Sequence, residues 1–380
     1  MGLQSMKQFD VPVALIVYKR LELTKQSFEA VRKIQPKKLY IIADGPRNEE
    51  DRHKVLAVRD YLDTHIDWDC EIHRNYADRN YGPRYRMPTG MAWVFETEDR
   101  AIFLEDDIVA GRCFFDYCRE MLDRYENDDR VTMISGFNSI SEAEYFDGND
   151  ICFSYFASAW GWATWKRAFQ KYDVNIRRWP AYRKSGRLKK QLTKAGYDFY
   201  SILFDDLQYH WYTQAWDYQW VFMTFETDSV GIVPRVSLVR NVGMGNEDAI
   251  HATDDQKLID MVENTVAGEI QFPVKCPETI VRNCAYDTAY QHLHYPNRAN
   301  LLKKIKYTVR ARLYEKAYMQ IKEMEQDSCY MEHILSKDLQ LTEEEQSYNK
   351  GDKYRLTSPK QMRKDSRDYN RYRKKQSKER

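Results

Sequence analysis

The fold is decided by residues 13–44, which read VALIVYKRLELTKQSFEAVRKIQPKKLYIIAD. This stretch opens and closes on short apolar runs that have the length and composition of buried strands. Between the runs, Phe28, Val31 and Ile34 recur at helical spacing. Thr24 has the residue type of a helix N-cap. The stretch is therefore predicted to form a β–α–β unit with parallel strands and a right-handed crossover.

Strands and helices continue to alternate beyond this unit. Helices are predicted near residues 49–62, 89–97 and 112–125, strands near 70–74, 101–104 and 131–135, and a loop at 80–88. The alternation predicts an α/β fold with a mixed, mainly parallel sheet flanked by helices. Ligands of such sheets bind beyond the carboxyl ends of the strands, so residues that directly follow a strand are the first site candidates.

Charge is distributed unevenly along the chain. Its 380 residues include 59 Lys and Arg against 58 Asp and Glu, a formal net charge of +1. Residues 350–380 contain 13 Lys and Arg against 4 Asp and Glu and so carry +9, which leaves −8 on the remainder. The basic segment has three interpretations: a solvated extension, attraction to an anionic membrane surface, or nucleic-acid binding. An acidic body without a nucleic-acid-binding motif favours the first two, so no nucleic-acid partner is expected.

The cysteines and the hydropathy indicate a protein of a reducing compartment. The seven cysteines are odd in number and include no CxxC pair, which argues against a disulfide framework and against zinc. No apolar run is long enough to span a bilayer, and the N-terminus lacks the apolar stretch of a signal peptide. We therefore expect a cytoplasmic protein, with peripheral contact at the inner membrane face as the possible role of the basic tail.

Three acids follow the strand predicted at 101–104. Glu105, Asp106 and Asp107 would repel one another unless a cation neutralised them, and Mg²⁺ and Mn²⁺ prefer carboxylate oxygens. Such an ion can bridge to the oxygens of a bound diphosphate. The alternative is a solvated turn whose acids lie near a helix N-terminus.

A second strand-end acid, Asp44, follows the last strand of the β–α–β unit. Its carboxylate is suited to accept a hydrogen bond from the ring N–H of uracil. The alternative is a turn residue, because Asp44-Gly45-Pro46 is a good turn sequence. Two acids at strand ends of one parallel sheet are harder to explain as accident than one.

Four motifs occur in order between residues 11 and 252. They are an apolar strand running into Arg20, a strand ending at Asp44, FLEDDIVAGRCFFDYC at 103–118, and Trp216-Asp217-Tyr218-Gln219-Trp220 followed by IVPRVSLVRNVG. Together they resemble the GT-A glycosyltransferases, which have a Rossmann-like fold, and are most similar to the N-acetylglucosaminyltransferase I type. The match departs in the last motif, where two residues separate Asp217 from Trp220, so Asp205-Asp206 is a nearby alternative.

The resemblance implies a metal-dependent, inverting transfer of a sugar from a nucleotide-diphosphate donor to a hydroxyl acceptor. Asp107, together with Asp106, would contact Mn²⁺ or Mg²⁺. Glu105 and Asp106 would also help to hold the ribose and nucleotide. Arg20 would contact the phosphates, where a planar cation suits oxyanions. UDP is the expected nucleotide because of Asp44.

The remaining site candidates also come from the resemblance. Asp217 would be the general base, with Trp216 beside the nucleotide and raising the pKa of the base by burial. Trp160-Gly161 resembles the loop that abuts the donor sugar, although core packing is an equal alternative. His251 stands where many GT-A enzymes place a metal-binding histidine, but a lone histidine is more often structural. The glycine-containing stretch after Arg240 is a candidate for a loop that closes over the donor.

The domain organisation follows from these assignments. Residues 1–255 are predicted to form the catalytic domain, with a nucleotide-binding half at 11–140 and an acceptor half at 150–255. A helical C-terminal extension is predicted at 256–345, and a basic, disordered tail at 346–380. The expected partners are a nucleotide-sugar donor and a glycan or lipid-linked acceptor, in cell-surface glycan or polysaccharide synthesis.

Three other functions are alternatives to glycosyl transfer. A nucleotidyltransferase would carry a glycine-rich loop after the first strand, where this chain has YKRLELT. A dehydrogenase would carry GxGxxG at the same place. A non-catalytic sugar-binding or assembly protein stays open as the alternative from another class, although intact Glu105-Asp106-Asp107 and Asp217 argue against it.

Overall fold

The computed structural model describes most of the first 295 residues and a short part of the tail. The described residues are 8–140, 142–209, 214–244, 260, 262, 265–295, 364, 367–371, 373–375 and 377. They form two compact units, which are treated separately below. The first comprises the described residues within 1–172 and 223–294, and the second those within 173–222 and 295–380.

Ten strands are described, all in the first unit. They are β1 (Val13–Val17), β2 (Lys38–Ala43), β3 (Glu71–Tyr76), β4 (Arg100–Glu105), β5 (Ile108–Ala110), β6 (Val131–Ser135), β7 (Ile151–Ser154), β8 (Trp162–Trp165), β9 (Val230–Pro234) and β10 (Val239–Asn241). The helices of both units are α1 (Leu21–Ile34), α2 (Glu49–His65), α3 (Pro83–Thr97), α4 (Arg112–Arg124), α5 (Lys166–Phe169), α6 (Trp179–Ser185), α7 (Arg187–Gln191), α8 (Lys194–Tyr209), α9 (Asp217–Thr227) and α10 (Cys284–His294).

Eight of these strands form one mixed sheet in the order β3-β2-β1-β4-β8-β6-β9-β7. β1 pairs in parallel with both β2 and β4, β2 with β3, and β6 with β9. β8 and β7 run antiparallel to their neighbours. The predicted α/β architecture, a mixed and mainly parallel sheet flanked by helices, is therefore confirmed.

Burial explains why the first strands read as continuous apolar runs. All five residues of β1 are buried, because helices cover the parallel sheet on both faces. On one of those helices, Phe28 packs against Tyr61 of α2 with ring centroids 5.8 Å apart. Since β1, β2 and β4 are parallel and in register, their carboxyl ends lie at one edge, where Ile16 is the partner of Glu105. The sheet thereby places the residues that follow these strands side by side.

A second, two-stranded sheet begins directly after the acidic motif. β5 pairs antiparallel with β10, so that Asn241 is the partner of Ile108 and Val239 of Ala110. Through this pairing, the strand that directly follows Asp107 is hydrogen-bonded to residues 239–241.

The second unit is helical in its described part. Trp179, Phe204 and Phe222 are buried at its centre, and the Trp179 and Phe204 rings lie 5.2 Å apart. Asp205 accepts hydrogen bonds from Trp179 Nε1 at 2.9 Å and from Arg183 Nη1 at 2.7 Å. This buried carboxylate therefore joins α6 to α8.

The starts of two helices differ from the sequence prediction. α1 has Arg20 at its N-cap, and Thr24 lies one turn inside, where its hydroxyl donates to the Arg20 carbonyl. α3 begins at Pro83 rather than near residue 89, directly after Gly82, whose φ is +74°. Proline is favourable in the first turn of a helix because it has no N–H to satisfy there.

The C-terminal predictions also need correction where the chain is described. The extension predicted to be helical at 256–345 contains α10 (Cys284–His294), but residues 265–283 contain no helix. Pro273 and Pro277 interrupt the helical hydrogen-bond pattern in this segment. In the tail predicted to be disordered, residues 367–371 and 373–375 are helical. The rest of both segments lies largely outside the described residues, so the predicted domain boundaries stay predictions.

The described cysteines are free thiols: Cys70, Cys113, Cys118, Cys152, Cys276 and Cys284. In the parts of the chain that the structure describes, no helix combines the length and hydrophobicity needed to cross a bilayer.

Candidate functional site

The acidic motif lies in the turn between β4 and β5. Glu105 is the last residue of β4, and Asp106 and Asp107 form the turn itself. Arg20 reaches this turn from the N-cap of α1, directly beyond the carboxyl end of β1. The four side chains carry a formal charge of −2, so the turn is a site that favours cations.

Arg20 binds both aspartates. Its Nε donates to Asp106 Oδ2 at 3.2 Å, and its Nη2 donates to Asp106 Oδ1 and, at 3.0 Å, to Asp107 Oδ2. Burial raises the pKa of the Asp106 carboxyl to about 6, and the charge and hydrogen bonds of Arg20 oppose that rise. Burial also acts to lower the pKa of Arg20, but the two carboxylates outweigh it and the pKa lies above its usual value. The arginine is thus held in a fixed, permanently charged state.

Asp106 and Asp107 are held differently. The Asp106 side chain is 6% exposed and bidentate to Arg20, and Ser27 Oγ donates to its carbonyl at 2.9 Å. The Asp107 side chain is 16% exposed, and Arg20 is its only hydrogen-bond donor among the described residues. Asp106 therefore anchors the arginine, while Asp107 is more exposed and its Oδ1 accepts no hydrogen bond from the described residues.

Gly243 closes the turn from the other side. The Val242 N–H donates to the Asp107 carbonyl at 2.8 Å. A Cβ placed on Gly243 would lie 2.4 Å from Asp107 Oδ2, so any larger residue would displace the carboxylate. Residues 241–243 belong to the chain predicted to be a closing loop, and here they are fixed against the acidic turn. Gly245 and Asn246, also in that stretch, lie outside the described residues.

The predicted sugar-side loop lies beside the same turn. Gly161 has φ +59°, and a Cβ there would lie 2.8 Å from Val239 Cγ1 and 3.2 Å from Ile108 Cγ2. The Gly161 carbonyl accepts the Gly136 N–H at 2.7 Å. Trp160 is half-buried, and its ring lies 4.7 Å from that of Phe137 in an edge-on contact. Gly161 therefore packs directly against the two-stranded sheet, and the half-buried ring of Trp160 lies next to Phe137.

Asp44 lies at the same edge of the sheet, but its carboxylate is filled by its own chain. Oδ1 accepts the N–H groups of Gly45 at 2.8 Å and Tyr81 at 2.9 Å. Oδ2 accepts Asn80 Nδ2 and the Gly82 N–H, each at 2.9 Å. Burial raises the pKa of Asp44, and the hydrogen bonds from Tyr81, Gly45 and Gly82 oppose that rise. Two donors on each oxygen occupy the four acceptor positions of a carboxylate.

The predicted base belongs to the second unit, unlike the acidic turn. Asp217 is the first residue of α9 and is half-buried, and its neighbour Trp216 is buried. Acids in the first turn of a helix are favoured by the helix dipole. Asp205, part of the alternative Asp205-Asp206, is engaged by Trp179 and Arg183. His251 lies outside the described residues.

The donor set fits a hard divalent ion that also binds a substrate. Among the described residues, no three His, Cys, Asp or Glu side chains cluster into a metal site. Mg²⁺ and similar ions are often held by only one or two carboxylates together with phosphate oxygens of the substrate. Asp107, whose side chain is 16% exposed against 6% for Asp106, is the carboxylate of the turn that fits this pattern.

Sequence reasoning missed three features of this site. The contact between Gly243 and Asp107 lies in the stretch that the sequence predicts to close over the donor, and its glycines were the visible signal for a close approach. The hydroxyl of Ser27 gave no signal, because a serine at a buried helix position has many uses. The loop around Asn80 was recognised as a loop, but nothing in its sequence indicated that it would fill the Asp44 carboxylate.

Comparisons with known proteins found little similarity in sequence. No protein-family model matches the chain, and no curated protein matches it. One solved structure with similarity is a mannosyltransferase, PcManGT from Pyrobaculum calidifontis, in complex with GDP-Man and Mn²⁺. It shares 12% identity with a TM-score of 0.34, over 45% of this chain and 49% of that chain. The match thus spans about half of the length of the mannosyltransferase.

Proposed function

We propose that the chain is a metal-dependent glycosyltransferase that moves a sugar from a nucleotide-diphosphate donor to a hydroxyl acceptor. The observation that carries the proposal is the arrangement of Arg20, Asp106 and Asp107 at the carboxyl edge of the sheet. It combines a fixed guanidinium with the partly exposed Asp107 carboxylate, which accepts only one hydrogen bond from the described residues. A diphosphate with its divalent counter-ion matches this pair of opposite charges.

Each residue of the turn has a distinct part in this proposal. Asp107 binds the Mn²⁺ or Mg²⁺, which stabilises the negative charge on the departing diphosphate when bound. Asp106 holds Arg20 in place through two hydrogen bonds. The Nη1 group of Arg20 has no acceptor among the described residues and is available to donate to a phosphate oxygen. Glu105 lies at the end of β4, where the ribose of the nucleotide is expected.

The acceptor side of the proposal rests on Asp217. As general base it would take the proton of the acceptor hydroxyl while that oxygen attacks the anomeric carbon, which inverts the configuration in a single displacement. Trp216 beside it and Trp160-Gly161 beside the acidic turn are proposed to contact the nucleotide and the donor sugar. UDP as nucleotide, His251 as an additional ligand and a role in cell-surface glycan synthesis remain predictions.

Thermal stabilisation by nucleotides tests this function. UDP, GDP and CMP are added with and without Mn²⁺ to the wild type, to Asp107→Asn and to the exposed control Asp60→Asn. Because ligands of the folded state raise the melting temperature, one nucleoside diphosphate should stabilise the wild type and the control only with Mn²⁺. Asp107→Asn should abolish the effect. No stabilisation of the wild type under any condition would favour a non-catalytic protein instead.

A further inference from the structure

The second unit carries a cationic surface that the proposed function does not use. Residues 174–197 contain eight Lys and Arg and no Asp or Glu. This segment covers α6, α7 and the start of α8. The rest of residues 1–349 carries −16, so the positive charge is concentrated in this short stretch.

The helices of this segment are amphipathic. Their apolar side chains are buried, with Trp179 fully buried and Leu188 1% exposed. Gly186, at φ +70°, turns the chain between α6 and α7. The neighbouring acids along the chain, Asp198 and Asp205, are buried as well. The large apolar groups and these two acids therefore lie inside the unit, whereas six of the eight cations are exposed.

Six of the eight cations are exposed, and the two that are half-buried each bind an acid. Arg177 binds Asp173 at 2.8 Å, and Arg183 binds Asp205 at 2.7 Å. The others are exposed: Arg178, Lys184, Arg187, Lys189, Lys190 and Lys194. Arg187 lies over the ring of Tyr182, with its Cζ atom 5.1 Å from the centroid. Six exposed cations between the N-cap of α6 and the first residue of α8 form a preorganised positive surface.

We propose that this cationic surface binds the anionic face of a lipid bilayer. A bilayer with acidic headgroups attracts clustered Lys and Arg over about a Debye length, with no need for a specific pocket. The surface exposes no large aromatic or aliphatic group, since Trp179, Tyr182 and Leu188 point inward, so the contact is electrostatic rather than inserted. The other residues of 1–349, which carry −16, would be repelled by the same headgroups, so within 1–349 the attraction is confined to this cationic surface.

Vesicle flotation with the full chain, without nucleotide, tests the proposal independently of catalysis. The vesicles contain either phosphatidylcholine alone or equal parts of phosphatidylcholine and phosphatidylglycerol. The test variant is Lys189→Gln/Lys190→Gln/Lys194→Gln, and the charge-matched control is Lys33→Gln/Lys37→Gln/Lys54→Gln, from exposed positions of the first unit. A third variant replaces the same three test lysines by arginine and so keeps the charge.

The wild type, the control and the arginine variant should float with the anionic vesicles and not with phosphatidylcholine alone. Each lysine near such a surface strengthens binding roughly fivefold, so the test variant should bind ~100-fold more weakly. Binding by the wild type should also fall steeply as salt is raised. Undiminished flotation of the test variant would overturn the proposal and place any contact elsewhere, for instance in residues 350–380. Binding of the wild type to soluble heparin but to neither vesicle would overturn it too.

Discussion

The two acidic strand ends look alike in sequence and differ in how their carboxylates are occupied. Asp44 accepts four hydrogen bonds from its own chain, two on each oxygen. Asp107 accepts one, from Arg20, among the described residues. Both follow parallel strands at the same edge of the sheet. The number of chain donors, rather than the position after a strand, thus separates an acid that holds the protein together from one that can bind a ligand.

This difference suggests a different role for Asp44 from the uracil contact that the sequence predicts. We infer that it positions the loop of residues 79–82, whose backbone N–H groups point at its oxygens. Gly45 packs so closely on this loop that a Cβ would lie 2.4 Å from the Arg79 carbonyl oxygen. The contact between Asp44 and uracil stays a prediction; a uracil N–H would compete with the four hydrogen bonds that Asp44 already accepts.

The largest expected effect comes from removing Arg20. Arg20→Ala leaves the buried Asp106 charge without its partner, which should destabilise the first unit by ~3–5 kcal/mol. The double variant Arg20→Ala/Asp106→Ala should recover much of this loss, because no uncompensated charge remains. Denaturant unfolding of the wild type and the two variants measures these differences in stability. Equal stability of Arg20→Ala and the wild type would show that the ion pair is not formed.

A smaller effect is expected at Asp44. In Asp44→Asn the amide nitrogen faces two donors, so buried N–H groups lose their acceptor and stability should fall by ~2–3 kcal/mol. That corresponds to a decrease in Tm of about 4–12 °C for a unit of this size. Nucleotide preference should remain that of the wild type. An unchanged Tm combined with altered nucleotide preference would instead establish Asp44 as the base-reading group.

The smallest effect is expected at Gly243. Gly243→Ala should push the Asp107 carboxylate aside and weaken Mn²⁺-dependent nucleotide binding about tenfold, while Tm changes little. Gly111→Ala is the matched control, because a Cβ there meets nothing within 4 Å. Titration calorimetry compares the two. Equal Mn²⁺-dependent affinity for the nucleotide in both variants would mean that Asp107 does not bind the metal.

The sheet could be predicted because its strands are buried on both faces. β1 is apolar throughout, and all five residues of β6 are buried although Thr132 and Ser135 are polar; the bounds of both strands follow from the sequence within a residue. The start of α3 could not be predicted, because Pro83 and the charged residues that follow it have a composition typical of a loop. In the structure Arg84 and Arg86 are 0% and 2% exposed. The burial of an arginine depends on tertiary contacts, which cannot be predicted from the neighbouring residues in the sequence.

The site shows the same division. Asp106 and Asp107 were predicted from their positions after a strand and Arg20 from the family resemblance, and the structure brings the three together. The occupancy of the Asp44 carboxylate depends on donors in residues 80–82, far along the chain and without a sequence signature. The position of an acidic residue at the edge of the sheet can therefore be predicted from the strand that precedes it. Whether its carboxylate is available to a ligand depends on the hydrogen bonds that distant residues donate to it.

The most direct test measures Mn²⁺-dependent affinity for the preferred nucleoside diphosphate in Asp107→Asn and Asp44→Asn side by side. Both substitutions remove one negative charge at the same edge of the sheet. The account predicts that Asp107→Asn loses binding by at least about a hundredfold, or ~2.7 kcal/mol, while folded Asp44→Asn binds within a few-fold of the wild type. Loss of binding in Asp44→Asn with retention in Asp107→Asn would contradict it.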